Sequence, residues 1–257
     1  MTTTAGVRSD PGSVREQHSW VLDRLRGSSV AVMLYGSRAR GDARADSDVD
    51  ILQVVEDRAR AYSVGEVNVS AYTNDHLREL ASRGSLFVRH LRDEGVTLCD
   101  RDRILERALS EYVEPSSYDA LRAELAIVVS ALALPGVEQY GASAARTASF
   151  VVRSLLYAAC ADADSFEFNV IQASLHIGRP QIGVDLRATD TALWTQVRHA
   201  RWLLARTGTS VPIAPGRSFE EAAVWVGAAH PAAAALLEAV LAGEAAVDYT
   251  SLTLPMS

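Results

Sequence analysis

The chain has 257 residues, 48% of them hydrophobic and 22% charged, with 32 acids against 25 bases and a formal net charge of −7. That length can bury one large core or two modest ones, and the acidic balance argues against broad binding of nucleic acid while suiting a cationic small molecule or a protein partner. Two distant cysteines, Cys99 and Cys160, suggest neither a disulfide framework nor a zinc site, and the lack of a signal-like segment or a membrane-length apolar run makes a cytoplasmic location the expectation.

Residues 1 to about 13 are polar and expected to be loose. Val14, Trp20, Val21, Leu22 and Leu25 fit one face of a helix over 13–25, ended by Gly27. Val30 to Tyr35 reads as a strand, Gly36-Ser37 as a turn, and Val49 to Val55 as a second strand with Asp48 at its start. A third strand is expected over Val64–Thr73, where Val67, Val69 and Ala71 alternate with Glu66, Asn68 and Ser70. Asn74-Asp75 offers a cap for a helix bearing Leu77, Leu80 and Ala81, a further helix runs from Leu86 to about Glu94, and Val96–Cys99 forms a short strand.

After Asp100 the texture turns Ala- and Leu-rich with helical spacing, and helices are expected over 102–112, 117–133, 142–162, 167–176, 187–206, 218–228 and 231–242. VEPSSYD, Val113 to Asp119, is the natural boundary. The expectation is therefore an α/β (α+β) domain with a small mixed sheet over 1–112, then an all-α helical bundle over 113–257.

The informative stretch is GSRARGDARADSDVDIL, Gly36 to Leu52. Asp48 and Asp50 lie two apart, so their side chains leave one face of the strand. Two such carboxylates repel, and a cation between them relieves the repulsion. Oxygen ligands at short reach suit Mg²⁺, which takes one or two carboxylates, water and phosphate oxygens. Gly36 lets a phosphate approach the backbone, Ser37 can donate to its oxygens, and Arg38 and Arg40 can supply positive charge. No GK[ST] follows the glycine, which excludes a P-loop.

This stretch resembles the signature of the DNA polymerase β-like nucleotidyltransferase superfamily: GS, about ten residues, then DxD among apolar neighbours, over roughly residues 30–100. A helical bundle behind such a core is similar to the aminoglycoside adenylyltransferase layout. The resemblance implies that Asp48 and Asp50 hold Mg²⁺, two ions in the family, and that Gly36 and Ser37 grip the phosphates of ATP or another NTP. An acceptor hydroxyl would attack the α-phosphorus and pyrophosphate would leave. The implied partners are the triphosphate and a small hydroxyl-bearing acceptor of the aminoglycoside type. A homodimer is left open. Two alternatives remain, a protein or tRNA acceptor as in toxin–antitoxin systems, and a catalytically weak nucleotide-binding module.

The family places a third carboxylate on the next strand. Glu66 qualifies by chemistry and Asn68 by position, and an amide is the weaker metal ligand and takes no proton. Glu124, Glu138, Asp162, Asp164 and Glu167 are further candidate bases in the helical part. Arg146, Arg153 and Tyr157 share roughly one helix face and could contact nucleotide. The basic stretch RHARWLLAR, Arg198 to Arg206, reads mainly as a helix face, and the six histidines as surface or packing residues.

Overall fold

A computed structural model describes residues 11–45, 47–57, 59–188, 190–227 and 229–243. The expectation of a loose tail falls mostly on residues 1–10, outside that set. The chain divides into two compact units, the first ending at Val113 and the second beginning at Glu114.

The first unit is built on strands β1 (Ala31–Tyr35), β2 (Val49–Val55), β3 (Tyr62–Val64), β4 (Val67–Thr73) and β5 (Val96–Asp100). They form one mixed sheet in the order β3-β4-β2-β1-β5. β4 runs parallel to β2, and the other neighbours are antiparallel. The central strands are apolar on both faces because both are covered. One face, with Met33, Leu52, Val54 and Tyr72, packs against Leu77, Leu80, Val88, Leu91 and Leu105. These come from α3 (Asn74–Ser82), α4 (Leu86–Glu94) and α5 (Ile104–Ser110). The opposite face, with Leu34, Ile51 and Val69, packs against Val14 of α1 (Pro11–His18) and Val21 of the following 3₁₀ turn. Leu34, Ile51 and Leu52 are fully buried, each worth about 1.5–3 kcal/mol relative to exposure.

Several boundaries differ from expectation for local reasons. Helix 13–25 breaks after His18 into the 3₁₀ turn Ser19–Arg24. Gly36-Ser37 does not merely turn: Gly36–Arg40 forms one short helix, α2, closed by Gly41 in the left-handed region at φ 80°. The expected strand Val64–Thr73 is a hairpin, β3 and β4, whose two-residue turn is Gly65-Glu66 with Gly65 at φ 60°. Thr73, not Asn74-Asp75, caps α3, its hydroxyl accepting from His76 N–H. The helix expected from 102 starts at Ile104, because Asp102 and Arg103 take left-handed φ and the Asp100 carboxylate accepts from the N–H groups of Leu105 and Glu106.

The second unit is helical: α6 (Asp119–Ala131), α7 (Gly141–Ala161), α8 (Val170–His176), α9 (Pro180–Arg187), α10 (Leu193–Arg206), α11 (Phe219–Gly227) and α12 (Pro231–Leu241). The 21-residue α7 presents buried Ala144, Ala148, Val151, Val152, Leu155 and Ala159 at helical spacing. The segment expected as one helix over 187–206 holds the last residue of α9 and all of α10, and α9 was not anticipated. Pro180 opens α9 at a position where its missing N–H costs nothing. Among the described residues no helix is long and apolar enough to cross a membrane.

Candidate active site

The end of the sheet where β1 finishes and β2 and β4 begin gathers the sequence-selected residues. Asp50 is the Cα partner of Tyr35 on β1 and of Asn68 on β4. Asp48 precedes β2 and is exposed, whereas Asp50 is half-buried. Alternation puts both on the face that carries Leu52 and Val54. Gly36 follows Tyr35 directly at φ 75°, and a Cβ there would lie 2.7 Å from Asp50 Oδ2. A side chain on Gly36 would push that carboxylate aside.

The two arginines of α2 part ways. Two residues turn a helix by about 200°, so the side chains leave opposite sides. Arg38 Nη2 donates to the Ser47 carbonyl at 2.7 Å, which ties down the residue before Asp48. Glu66 Oε2 is 3.8 Å from the same nitrogen, and Arg38 Nε is buried without a hydrogen-bond partner. Arg40 instead donates to Glu94 Oε2 at 2.6 Å and to Asp42 Oδ2 at 3.3 Å. Burial alone would push the Glu94 carboxyl up, but His90 and Arg40 outweigh it and hold Glu94 below the usual carboxylate range.

Glu66 sits in the hairpin turn rather than on the strand, its side chain 59% exposed. Its carbonyl accepts from Val49 N–H at 2.9 Å, so the turn lies against the start of β2. The strand position beside Asp50 belongs to Asn68, whose Oδ1 accepts from Ser63 Oγ at 2.9 Å. Parallel register gives the place to Asn68, the residue that position in the sequence favours over Glu66.

Residues 26–104 match the family model described as Polymerase beta, Nucleotidyltransferase. The first unit carries a nucleotidyltransferase domain of the DNA polymerase β-like superfamily. No curated protein matches the chain. The family's divalent metal fits the donor set of this nucleotidyltransferase domain: two carboxylates on one face, beside a glycine cradle that a Cβ would fill. Among the described residues no group of three or more His, Cys, Asp or Glu could hold a metal.

Outside the nucleotidyltransferase domain the candidate bases have other work. Glu124 accepts from Ala233 N–H at 3.2 Å, at the start of α12, and lies 2.9 Å from His230 Nδ1. Asp162 receives both terminal nitrogens of the buried Arg122. Glu138 accepts from Gly136 N–H and Glu167 from Asn169 N–H, while Asp164 holds a left-handed turn at φ 52°. Tyr157 donates to the Phe168 carbonyl at 2.8 Å, and Arg146 and Arg153 lie on the same helix, α7. In the basic stretch, Trp202 stacks with Arg179 and Arg206, and His199 pairs with Asp185 at 2.7 Å. Cys160 is buried, its thiol pushed up to about 11 chiefly by burial, and Cys99 is half-buried; both are free.

Sequence reading passed over Glu94 and His90. Their spacing of four on α4 is a legible helix pair, but their link to Arg40 spans 54 residues. A cavity of about 620 Å³ opens at the opposite end of the sheet, lined by Arg26, Gln53 and Tyr62 among others. Within it Gln53 donates to the Arg26 carbonyl and to Ser29 Oγ and accepts from Tyr62.

Proposed function

We propose that the protein is a Mg²⁺-dependent nucleotidyltransferase that moves an NMP, AMP in the first instance, from an NTP to a hydroxyl of a small acceptor of the aminoglycoside type. The close approach of Gly36 to the Asp50 carboxylate, beside Asp48, is the observation that carries this reading. Asp48 and Asp50 would hold the ion. When bound, it supplies charge neutralisation for the triphosphate and for the attacking and leaving oxygens. Ser37 would donate to phosphate oxygens, and Arg38, with a buried Nε that has no partner, would add positive charge. The acceptor oxygen forms a bond to the α-phosphorus, and the bond from that phosphorus to the bridging oxygen of the β-phosphate breaks. Pyrophosphate carries away the electron pair. Glu66, at the same end of the sheet, is the candidate acceptor of the hydroxyl proton. The acidic net charge of −7 supports a cationic acceptor.

Pyrophosphate release tests this, with Mg²⁺, each of four NTPs and a panel of aminoglycosides. Release that requires one acceptor and is lost in Asp50→Ala is the expected result. Silence across the panel removes the small-molecule acceptor and moves the search to protein and tRNA. Asn68 beside Asp50 favours a second reading, a nucleotide-binding module of weak activity, since an amide neither accepts the proton nor binds a second ion well. Calorimetry that finds nucleotide bound, with no turnover on any acceptor, selects the module.

A further inference from the structure

We propose that Glu94 and His90 clamp the Gly36–Arg40 turn, and that Arg40 is a positioning residue rather than a phosphate ligand. This rests on the nucleotidyltransferase reading above and gives one of its expected phosphate contacts a different role. Arg40, Glu94 and His90 form one chain: the Glu94 Oε2 that accepts from Arg40 also lies 2.9 Å from His90 Nε2. Glu94, held ionised, accepts only, so the ring tautomer with hydrogen on Nε2 fits. The three side chains are 19%, 12% and 14% exposed. An Arg–carboxylate pair so shielded keeps its geometry far better than a surface pair.

The chain also reaches the other end of the turn. The His90 ring sits edge-on to Tyr35, centroids 5.6 Å apart, and Phe87 packs the same ring at 5.4 Å. Tyr35 immediately precedes Gly36, is the Cα partner of Asp50, and its hydroxyl is 3.1 Å from Ser70 Oγ on β4. So α4 holds the five-residue turn at its first residue through Tyr35 and at its last through Arg40. That matters because the Gly36 backbone approaches Asp50 with no room for a Cβ. A small shift of the turn would change where the carboxylate points. Arg40 cannot do both jobs, since two carboxylates, Glu94 and Asp42, already compensate its single charge.

The test uses the full chain with two probes, Mn²⁺ followed by electron paramagnetic resonance and MgATP by calorimetry, alongside melting temperatures. Arg40→Gln and Glu94→Gln should each weaken both probes about tenfold, the scale of supporting residues behind a metal ligand. The double variant should be no weaker than either single, because both break one chain. His90→Gln leaves the ion pair intact and should give a smaller loss in the same direction, which keeps the test alive if a pair variant fails to fold. MgATP weakened by Arg40→Gln but unchanged or tightened by Glu94→Gln would make Arg40 a phosphate ligand and overturn the clamp. Unchanged Mn²⁺ affinity in Glu94→Gln, with only a lower melting temperature, overturns it too. A wild type that binds neither probe, or binding that survives Asp50→Ala, is the separate failure of the nucleotidyltransferase reading.

Discussion

Acids in the two units meet different fates. In the helical unit Glu124, Glu138 and Glu167 accept backbone N–H groups at helix starts and turns, and Asp162 compensates the buried Arg122. In the sheet unit Asp48, just before β2, and Asp50, on it, stand two residues apart, with a bare glycine backbone against the second of them. Helix ends and a buried guanidinium absorb carboxylates. At the strand end, like charges two residues apart are relieved by a cation. The lesson is that position in the fold, more than residue type, separates a candidate catalytic acid from a structural one.

The largest expected effect tests that contrast directly. Asp50→Ala should remove several kcal/mol of transition-state stabilisation, a fall in pyrophosphate release of about a thousandfold or more, with the melting temperature held. Asp162→Ala should do the reverse, leaving turnover near wild type while urea unfolding shows a loss of about 2 kcal/mol. It strands a guanidinium whose remaining neighbour is Asp119 at 3.3 Å, and the loss falls short of the fully buried case because the Asp162 side chain is 34% exposed. If the Asp162 variant loses activity while keeping its stability, the contrast between the units breaks.

Gly36→Ala comes next, and sharpens the contrast from the backbone side. It forces a Cβ into a left-handed conformation at φ 75° and to 2.7 Å from Asp50 Oδ2. The expected outcome is at least about 1 kcal/mol of lost stability together with weaker Mn²⁺ binding. Glycine 65, also left-handed at φ 60° but with open space around its Cβ position, is the control: Gly65→Ala should lose stability alone.

The smallest effect is in the pH dependence. Glu94 is held below its ordinary 4.5, burial opposing and the hydrogen bonds and charges of His90 and Arg40 prevailing. A lowered folded value means stability that is present above the unfolded value and lost as pH falls through the folded one. Melting temperatures taken from about pH 6 down to about pH 3 should therefore show wild type converging on Glu94→Gln at the acid end. A difference between the two that stays constant through that window would show that the fold does not shift the Glu94 carboxyl, and one that turns against wild type as pH rises would show that the carboxyl stays protonated in the fold.

Much of the sheet unit was written locally. The apolar runs fixed β1 and β2, the helix expected from Leu86 to about Glu94 is α4, and the step from Ser37 to Asp48 marked the nucleotidyltransferase signature. Such features depend on neighbours within one turn or one strand, so a single sequence displays them. The same holds for the helical texture after Asp100, although left-handed Asp102 and Arg103 delayed one helix and Pro180 opened another.

What the chain by itself determined, then, is the candidate set for a phosphate and a metal: Gly36, Ser37, Asp48 and Asp50. Tertiary structure decided the rest. A two-residue turn at Gly65-Glu66 took Glu66 off the strand, and parallel register brought Asn68 beside Asp50. Packing of α4 against the sheet brought Glu94 to Arg40, while Arg38, on the other side of the same short helix, donates to the Ser47 carbonyl. Register and the Arg40–Glu94 pair are set by which faces are buried together, the pair over a separation of 54 residues, and no periodicity in the sequence encodes that.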